Sequence, residues 1–521
     1  AFDLWPAVNR ELTGDESHAP ATLRLLSPEP VTLDPVAGGD VAAVPLANTL
    51  FSGLVRYDED SNVVPDVAER WTISADGRRY EFHLRDDVVW SDGQPVTAVD
   101  FVFTYRRALT DNPPWDPLPR DLLAAIARPG GPDGEPAIQT AGDRTLVIEL
   151  SQPTSYFLYN LIHDVLMPVP RHVVMRHGDS WWRPDTIVSN GPFVLAAWDV
   201  GSSLTLDRNP RYHRAARGNV QHVEVRFTTL GSVDPVRLYS ADQVDVLATM
   251  LFTPLDVINQ LSRTFPADHS VRAGSRVVYY WLDPDTPAFA DRRLREAMAL
   301  AIDRDAHAHY ALHDTAIAAT GGLVSPEIPG HLPDIAPPPD PERAAHLVRE
   351  ALGGSAPPAL TITAFYTFGE LGERLASEWR AIGIDAQVHT SETFPELGMT
   401  PADAPAARVA VAGWIADYPD PDTVLRVGVT SLLPRWRNPQ YQSLIDAATR
   451  TTDPAERLAK YQRAERVLAQ EYIIVPLVYL PDRFMVKPWV LRYPTVPFFY
   501  NGFWQDVVID PTLQRRGTDG S

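Results

Sequence analysis

Leu360-Thr361-Ile362-Thr363-Ala364-Phe365 reads as a β-strand, and Ala386 to His389 and Arg408 to Ala412 repeat that signal further along the chain. These strands lie between helices. Asp340-Pro341-Glu342 opens one that ends at Gly353-Gly354, and Asp453-Pro454-Ala455-Glu456 opens another, with a capping Asp, Pro at the first helical position and a Glu that completes a capping box. Upstream, Asp291 caps a helix over Arg292 to Arg304, in which Leu294, Met298, Ala301 and Ile302 form one apolar stripe. Helices alternating with strands imply parallel strands joined by crossover helices, an α/β arrangement.

The first 150 residues have a different grammar. Tyr80 to Leu84 and Thr145 to Leu150 alternate apolar with polar residues, which predicts a sheet with one buried face. Between them, Thr97 to Leu109 carries Val99, Val102, Phe103 and Arg106 at helical spacing, and Pro113-Pro114 stops that helix. The prolines total 49 and suggest rigid connections, above all in 111–136 and 333–341.

At 521 residues the chain exceeds a single core, and two or three structural units are expected. No run approaches the roughly 18 apolar residues of a membrane span; the longest, such as Tyr472 to Leu480, are short and contain Pro476. The absence of cysteine excludes disulfides, thiolate metal sites and a Cys nucleophile. A net charge of −21 disfavours nucleic acid and anionic membrane surfaces as partners and permits a cationic ligand. The numbering opens at Ala1-Phe2 without an initiator Met or a basic-then-apolar leader, so any targeting segment is expected to have been removed from it.

Several spaced motifs carry a resemblance. Val64-Pro65-Asp66-Val67-Ala68-Glu69-Arg70-Trp71 is followed by Asp76-Gly77, by Tyr80 to Arg85, and by Trp90-Ser91-Asp92-Gly93-Gln94-Pro95-Val96-Thr97-Ala98-Val99-Asp100-Phe101. Then come Ser189-Asn190-Gly191-Pro192-Phe193, Leu206-Asp207-Arg208-Asn209-Pro210-Arg211-Tyr212, Arg295-Glu296-Ala297 to Arg304, and Gly413-Trp414-Ile415-Ala416-Asp417-Tyr418-Pro419-Asp420-Pro421. In this order, over most of the chain, they resemble the family 5 bacterial solute-binding proteins, which serve ABC importers of peptides, nickel complexes, opines and some oligosaccharides. Val486-Lys487-Pro488-Trp489-Val490 looks like the oligopeptide-binding branch.

The resemblance implies a two-lobed periplasmic-binding-protein fold of type II with an added domain. Lobe one would take 1–50, 166–276 and 487–521, the inserted domain 51–165, and the second lobe 277–486. Two crossings, near Ser275 and Val486, would make a hinge on which the lobes close by rigid rotation. The implied function is capture of a peptide or peptide-like solute between the lobes by a periplasmic or otherwise extracytoplasmic monomer, which delivers it to a membrane permease without cofactor, metal or catalysis. A non-peptide ligand on the same fold, such as an opine, a sugar oligomer or a metal chelate, is the alternative, and a sensory or chaperone-like binding protein is another.

By the same resemblance Asp417 matches the aspartate that pairs with a ligand ammonium, as a desolvated cation requires a counter-charge. An Asp starting a turn before Pro419 is the plain reading of the same residue. Backbone at Gly413 and Ile415 would hydrogen-bond the peptide as an added strand, ignoring its side chains. Glu29-Pro30-Val31 matches the segment lying along the ligand on the other lobe, although Pro30 has no backbone donor. Trp414, Tyr418, Phe394 and Tyr479 could line side-chain pockets or simply pack. Val411 stands where relatives of that branch often carry a carboxylate-binding Arg, so either another Arg such as Arg374 or Arg408 serves, or the ligand lacks a free carboxylate at that place.

His307, His309 and His313 replace expected basic residues. His309 and His313 share a helical face at i, i+4, but no Cys is near, and a solvated face is expected rather than a metal site. No G-x-S-x-G, H-E-x-x-H, P-loop or strand-following G-x-G-x-x-G occurs.

Overall fold

A computed structural model describes residues 8–9, 20–37, 42–58, 61–110, 122–129, 131, 134–228, 234–249, 253–283, 286–311, 316–357, 359–391, 407–433, 435–494 and 504–518. The chain separates into two compact units, one of residues 1–272 with 482–521 and one of residues 273–481. The chain passes from one to the other along two long strands, His269–Leu282 and Ile474–Val486.

In the first unit, strand Ala21–Ser27 pairs in parallel with Val220–Phe227, which continues through antiparallel partners Ser203–Arg208 and Phe193–Asp199. Val246–Ala248 flanks the other side and pairs with Phe484 to Val486. Within 51–165 a separate four-stranded antiparallel sheet forms from Ala68–Ile73, Arg79–Leu84, Thr145–Glu149 and Ile138–Thr140. Its alternation is that of the sequence: Tyr80, Phe82 and Leu84 face inward. Helix Ala98–Thr110 buries Phe101 and Tyr105 in the same core.

The motifs in this unit are stitches. Asn190 accepts from the Ser52 amide at 3.0 Å and returns a hydrogen bond to the Ser52 carbonyl at 3.0 Å. The next residue must be glycine, because a Cβ on Gly191 would collide with the Leu50 backbone. Asp34 accepts from both terminal nitrogens of Arg107, at 3.0 and 2.6 Å, and from the Trp181 indole at 3.0 Å, which locks the segment after Ala21–Ser27 to helix Ala98–Thr110.

In the second unit Leu360–Phe365 lies between Ala386–Ser391 and Ala407–Ile415 and is parallel to both. Helix Gly369–Ala381 makes the crossover, burying Leu371, Leu375, Ala376 and Trp379. Asp291, Asp340 and Asp453 all cap helices, their carboxylates accepting from the amides of Arg293, Arg343 and Glu456 at 2.8, 2.9 and 2.8 Å. Gly353, at φ +54, closes helix Pro341–Leu352 in the left-handed conformation that favours glycine. The helix expected over 292–304 is shorter: it stops at Leu300, because Asp303 caps a new turn by accepting from the Ala306 amide at 3.0 Å.

No described helix is long and apolar enough to cross a membrane.

Candidate functional site

Strand Ala407–Ile415 carries the first candidate. On one edge it pairs antiparallel with Arg276 to Leu282, so that Gly413 opposes Val278, Trp414 opposes Val277 and Ile415 opposes Arg276. On the other edge its parallel ladder with Leu360–Phe365 stops at Val411. Beyond that point, among the described residues, the second edge has no strand partner; the Ala416 amide donates to Ser275, so by alternation the backbone groups of Gly413 and Ile415 face this edge while those of Trp414 face Val277. The Phe368 ring approaches Gly413 closely enough that a Cβ there would meet it at 3.4 Å.

The chain leaves the strand through an acidic turn. The Asp417 amide donates to the Thr423 hydroxyl at 3.2 Å, and that hydroxyl donates to the Asp417 carboxylate at 3.1 Å, which fixes a half-buried carboxyl one residue past Ala416. Two more aspartates lie deeper. Asp422 is fully buried and accepts from Tyr418 at 2.7 Å, from Tyr461 at 2.6 Å and from the Arg426 guanidinium. Asp420 pairs with Arg457. Burial pushes the Asp420 carboxyl up to about 6, against the pull of Arg457 and with the help of the neighbouring Asp422 charge. The turn runs into a single π-helical stretch, Thr423–Gly428, whose Gly428 packs on the Trp414 indole. The Asp422 network thus holds the backbone that presents Asp417.

The structure sorts the other expected residues by what they touch. Tyr418 is buried in the Asp422 network, and its hydroxyl is a structural donor there. Tyr479 is buried in strand Ile474–Val486 and donates to the Gly322 carbonyl at 2.6 Å. Trp414 is half-buried, with its indole nitrogen enclosed and without a hydrogen-bond partner among the described residues. Arg408 lies in strand Ala407–Ile415 opposite Thr361. Phe394 lies outside the described residues. Val411 is fully buried, and Arg374 sits 3.3 Å from Glu378 on its own helix.

In the first unit, the Glu29 carboxylate accepts from the Trp198 indole at 3.0 Å and from the Gly201 amide at 2.9 Å, tying this segment to the Phe193–Asp199 hairpin. Pro30 is buried and Val31 is 81% exposed, so Val31 is the member of the trio that faces outward.

The exposed His309 fits the expectation of a solvated face, and His307 departs from it. His307 is fully buried and its Nε2 lies 2.9 Å from Glu378 on helix Gly369–Ala381, whereas His309 is exposed. Residues His307–Ala311 form a π-helical turn, so the i, i+4 argument for a shared face loses its basis. His313 lies outside the described residues, and among the described residues no group of three or more His, Asp or Glu is arranged to hold a metal ion.

Sequence reasoning singled out Asp417 but missed its anchors, Thr423, Asp420, Asp422, Arg426 and Arg457. A signal was present: three aspartates at 417, 420 and 422, interleaved with Pro419 and Pro421, cannot all remain unpaired in a buried turn.

Residues 62–431 match the model of the bacterial extracellular solute-binding proteins, family 5. The chain belongs to this family and is therefore an extracytoplasmic binding protein of the two-lobed α/β type. It is 34% identical over 487 residues to the probable deoxycholate-binding periplasmic protein YgiS of Escherichia coli, covering 89% of each chain. It is 30% identical over 488 residues to the periplasmic oligopeptide-binding protein OppA of the same organism, covering 89% of this chain and 87% of that one. The solved OppA of Burkholderia pseudomallei superposes with a TM-score of 0.73 at 28% identity, over 95% of this chain and all of the other.

Proposed function

We propose that this protein is the monomeric, periplasmic receptor of an ABC importer, that it captures a peptide or peptide-like solute without catalysis, and that it hands it to the permease. The observation that carries the ligand class is the open strand edge at Gly413-Trp414-Ile415, which ends in a positioned carboxylate. An extended peptide adds to such an edge through its own backbone, and its terminal ammonium meets Asp417 a few residues on. The relatives named for oligopeptides support this ligand class. In this reading 1–50, 166–276 and 487–521 form the first lobe, 51–165 the inserted domain and 277–486 the second lobe.

A second reading, an amphiphilic carboxylate such as a bile acid, is favoured by the identity to the probable deoxycholate-binding protein. Calorimetric titration with tri- and tetrapeptides, their N-acetylated forms and deoxycholate separates the two. Tight binding of free-amine peptides with loss on acetylation is the expected result. Binding of deoxycholate alone overturns the peptide reading.

A further inference from the structure

Away from the strand edge, the first unit contains a small solvent-open cleft walled by the segment 48–57, Asp66, the turn around Tyr212 and Gln505. Two guanidinium groups, Arg56 and Arg214, share it. Arg56 donates one hydrogen bond, from Nη1 to the Tyr57 carbonyl at 2.7 Å, while its Nε is buried without a partner among the described residues. Among the described residues Arg214 reaches only the Tyr212 hydroxyl at 3.5 Å and Asp66 at 4.0 Å. Asp66 is itself nine-tenths buried and already holds His213 at 3.0 Å; the charges of Asp66 and of the buried Asp506 both act on Arg56, but among the described residues neither carboxylate is hydrogen-bonded to it. Burial, and after it the Arg214 charge, lowers the Arg56 pKa, the signature of a cation held where a second cation is unwelcome.

This arrangement is costly in a chain with 67 acidic residues against 46 basic ones, where a further carboxylate could readily have been placed to pair with the two arginines. Guanidinium forks match planar carboxylate and tetrahedral phosphate oxygens with paired hydrogen bonds. Beside them the Ser52 hydroxyl donates to the Tyr212 hydroxyl at 3.4 Å, which leaves the Tyr212 proton as a donor at the cleft wall. We propose that the Arg56–Arg214 cleft is a second ligand site, for a small oxyanion bearing a carboxylate or phosphate group. The occupant neutralises the arginine pair and joins residues 52–57 of the inserted segment to the Tyr212 turn. The site lies within one unit and is independent of the peptide edge at Gly413–Ile415.

The test is calorimetric titration of the full chain with inorganic phosphate and, separately, acetate, at ionic strength fixed with sodium chloride, alongside thermal melting in the same buffers. The expected result is saturable one-to-one binding of at least one anion and a melting temperature that climbs with its concentration beyond the chloride control. Tighter phosphate identifies a phosphorylated ligand, and tighter acetate a carboxylate. The double variant Arg56→Gln/Arg214→Gln should lose at least tenfold in anion affinity while keeping its affinity for peptide, and Arg176→Gln, an exposed arginine elsewhere, should behave as native. If the double variant does not fold, Arg214→Lys, which keeps the charge and loses the fork, should still weaken anion binding several-fold. No saturable binding in the native protein, or equal binding in native and variants, overturns the proposal.

Discussion

Two charged regions of this molecule invert each other's design. The turn Asp417–Asp422 gathers three carboxylates in six residues and neutralises the two deepest with Arg426 and Arg457. The cleft around Arg56 and Arg214 gathers two guanidiniums, with Asp66 4.0 Å from Arg214 and, among the described residues, no carboxylate hydrogen-bonded to Arg56. The first is contiguous in sequence; the second is assembled from residues 48–66, 212–214 and 505. A contiguous cluster is stabilised by its own neighbours and can present one group outward. A dispersed cluster has no such local support, and its surplus charge awaits a partner from outside.

The largest effects should follow from burying acids in the second unit. Glu465, on helix Pro454–Glu471, accepts from the Val324 amide at 2.9 Å through one oxygen, and its other oxygen is buried without a hydrogen-bond partner among the described residues. Burial pushes its carboxyl from the ordinary 4.5 up to about 8. Asp420 moves from 3.8 to about 6. Both folded values lie above the unfolded ones, so their contribution to stability is full below about pH 4 and is lost as pH rises through 6 and then 8. Thermal melts from pH 5 to 8.5 should show a declining midpoint in the native protein. In Glu465→Gln, which mimics the protonated acid, the decline above pH 6 should shrink, and the variant should be more stable than native at pH 8.5 by on the order of a few kcal/mol. An equal decline in both proteins breaks the picture of a protonated Glu465.

That contrast also explains what could be read in the sequence. Helix caps at Asp291, Asp340 and Asp453 and the strand Leu360–Phe365 were legible because each is written in consecutive residues. Asp417 was singled out through its motif, but the Thr423 hydroxyl that holds it was not. The burial of His307 against Glu378 was not, since the partner lies 71 residues away and the π-helical turn shifts the face. The Arg56–Arg214 cleft was invisible for the same reason: sequence spacing carries no sign that residues 56, 66 and 214 converge. Glu465 is one acid among many on an amphipathic helix until the fold covers it.

The next effect in size concerns ligand binding at the acidic turn. Asp417→Asn keeps the shape and the Thr423 hydrogen bond while deleting the charge, so a bound ammonium is left desolvated without its counter-ion, at a cost of about 2–5 kcal/mol. Affinity for a free-amine peptide should fall at least tenfold, while urea unfolding changes little because Asp420 and Asp422, not Asp417, hold the buried network. An N-acetylated peptide should bind native and variant nearly alike, since the charge partner is already gone. If Asp417→Asn binds the free-amine peptide as tightly as native protein, Asp417 is only a turn residue.

The smallest effect is the most direct probe of how the open edge works. If recognition runs through the backbone of Gly413 and Ile415, the ligand's amides carry the binding and its side chains only fill space. Peptides of one length that differ in neutral side chains should therefore spread over no more than about tenfold in affinity, or about 1.4 kcal/mol. N-methylation of a single central amide removes one donor and adds a methyl group against the strand, and should cost more than any such side-chain change. The Phe368 ring beside Gly413 sharpens the expectation: Gly413→Val pushes a branched side chain toward that ring and narrows the edge, so it should weaken every peptide by a similar factor and leave their ranking intact. A library whose affinities span several decades, with N-methylation tolerated, would show that side-chain pockets govern binding and that the backbone edge is incidental.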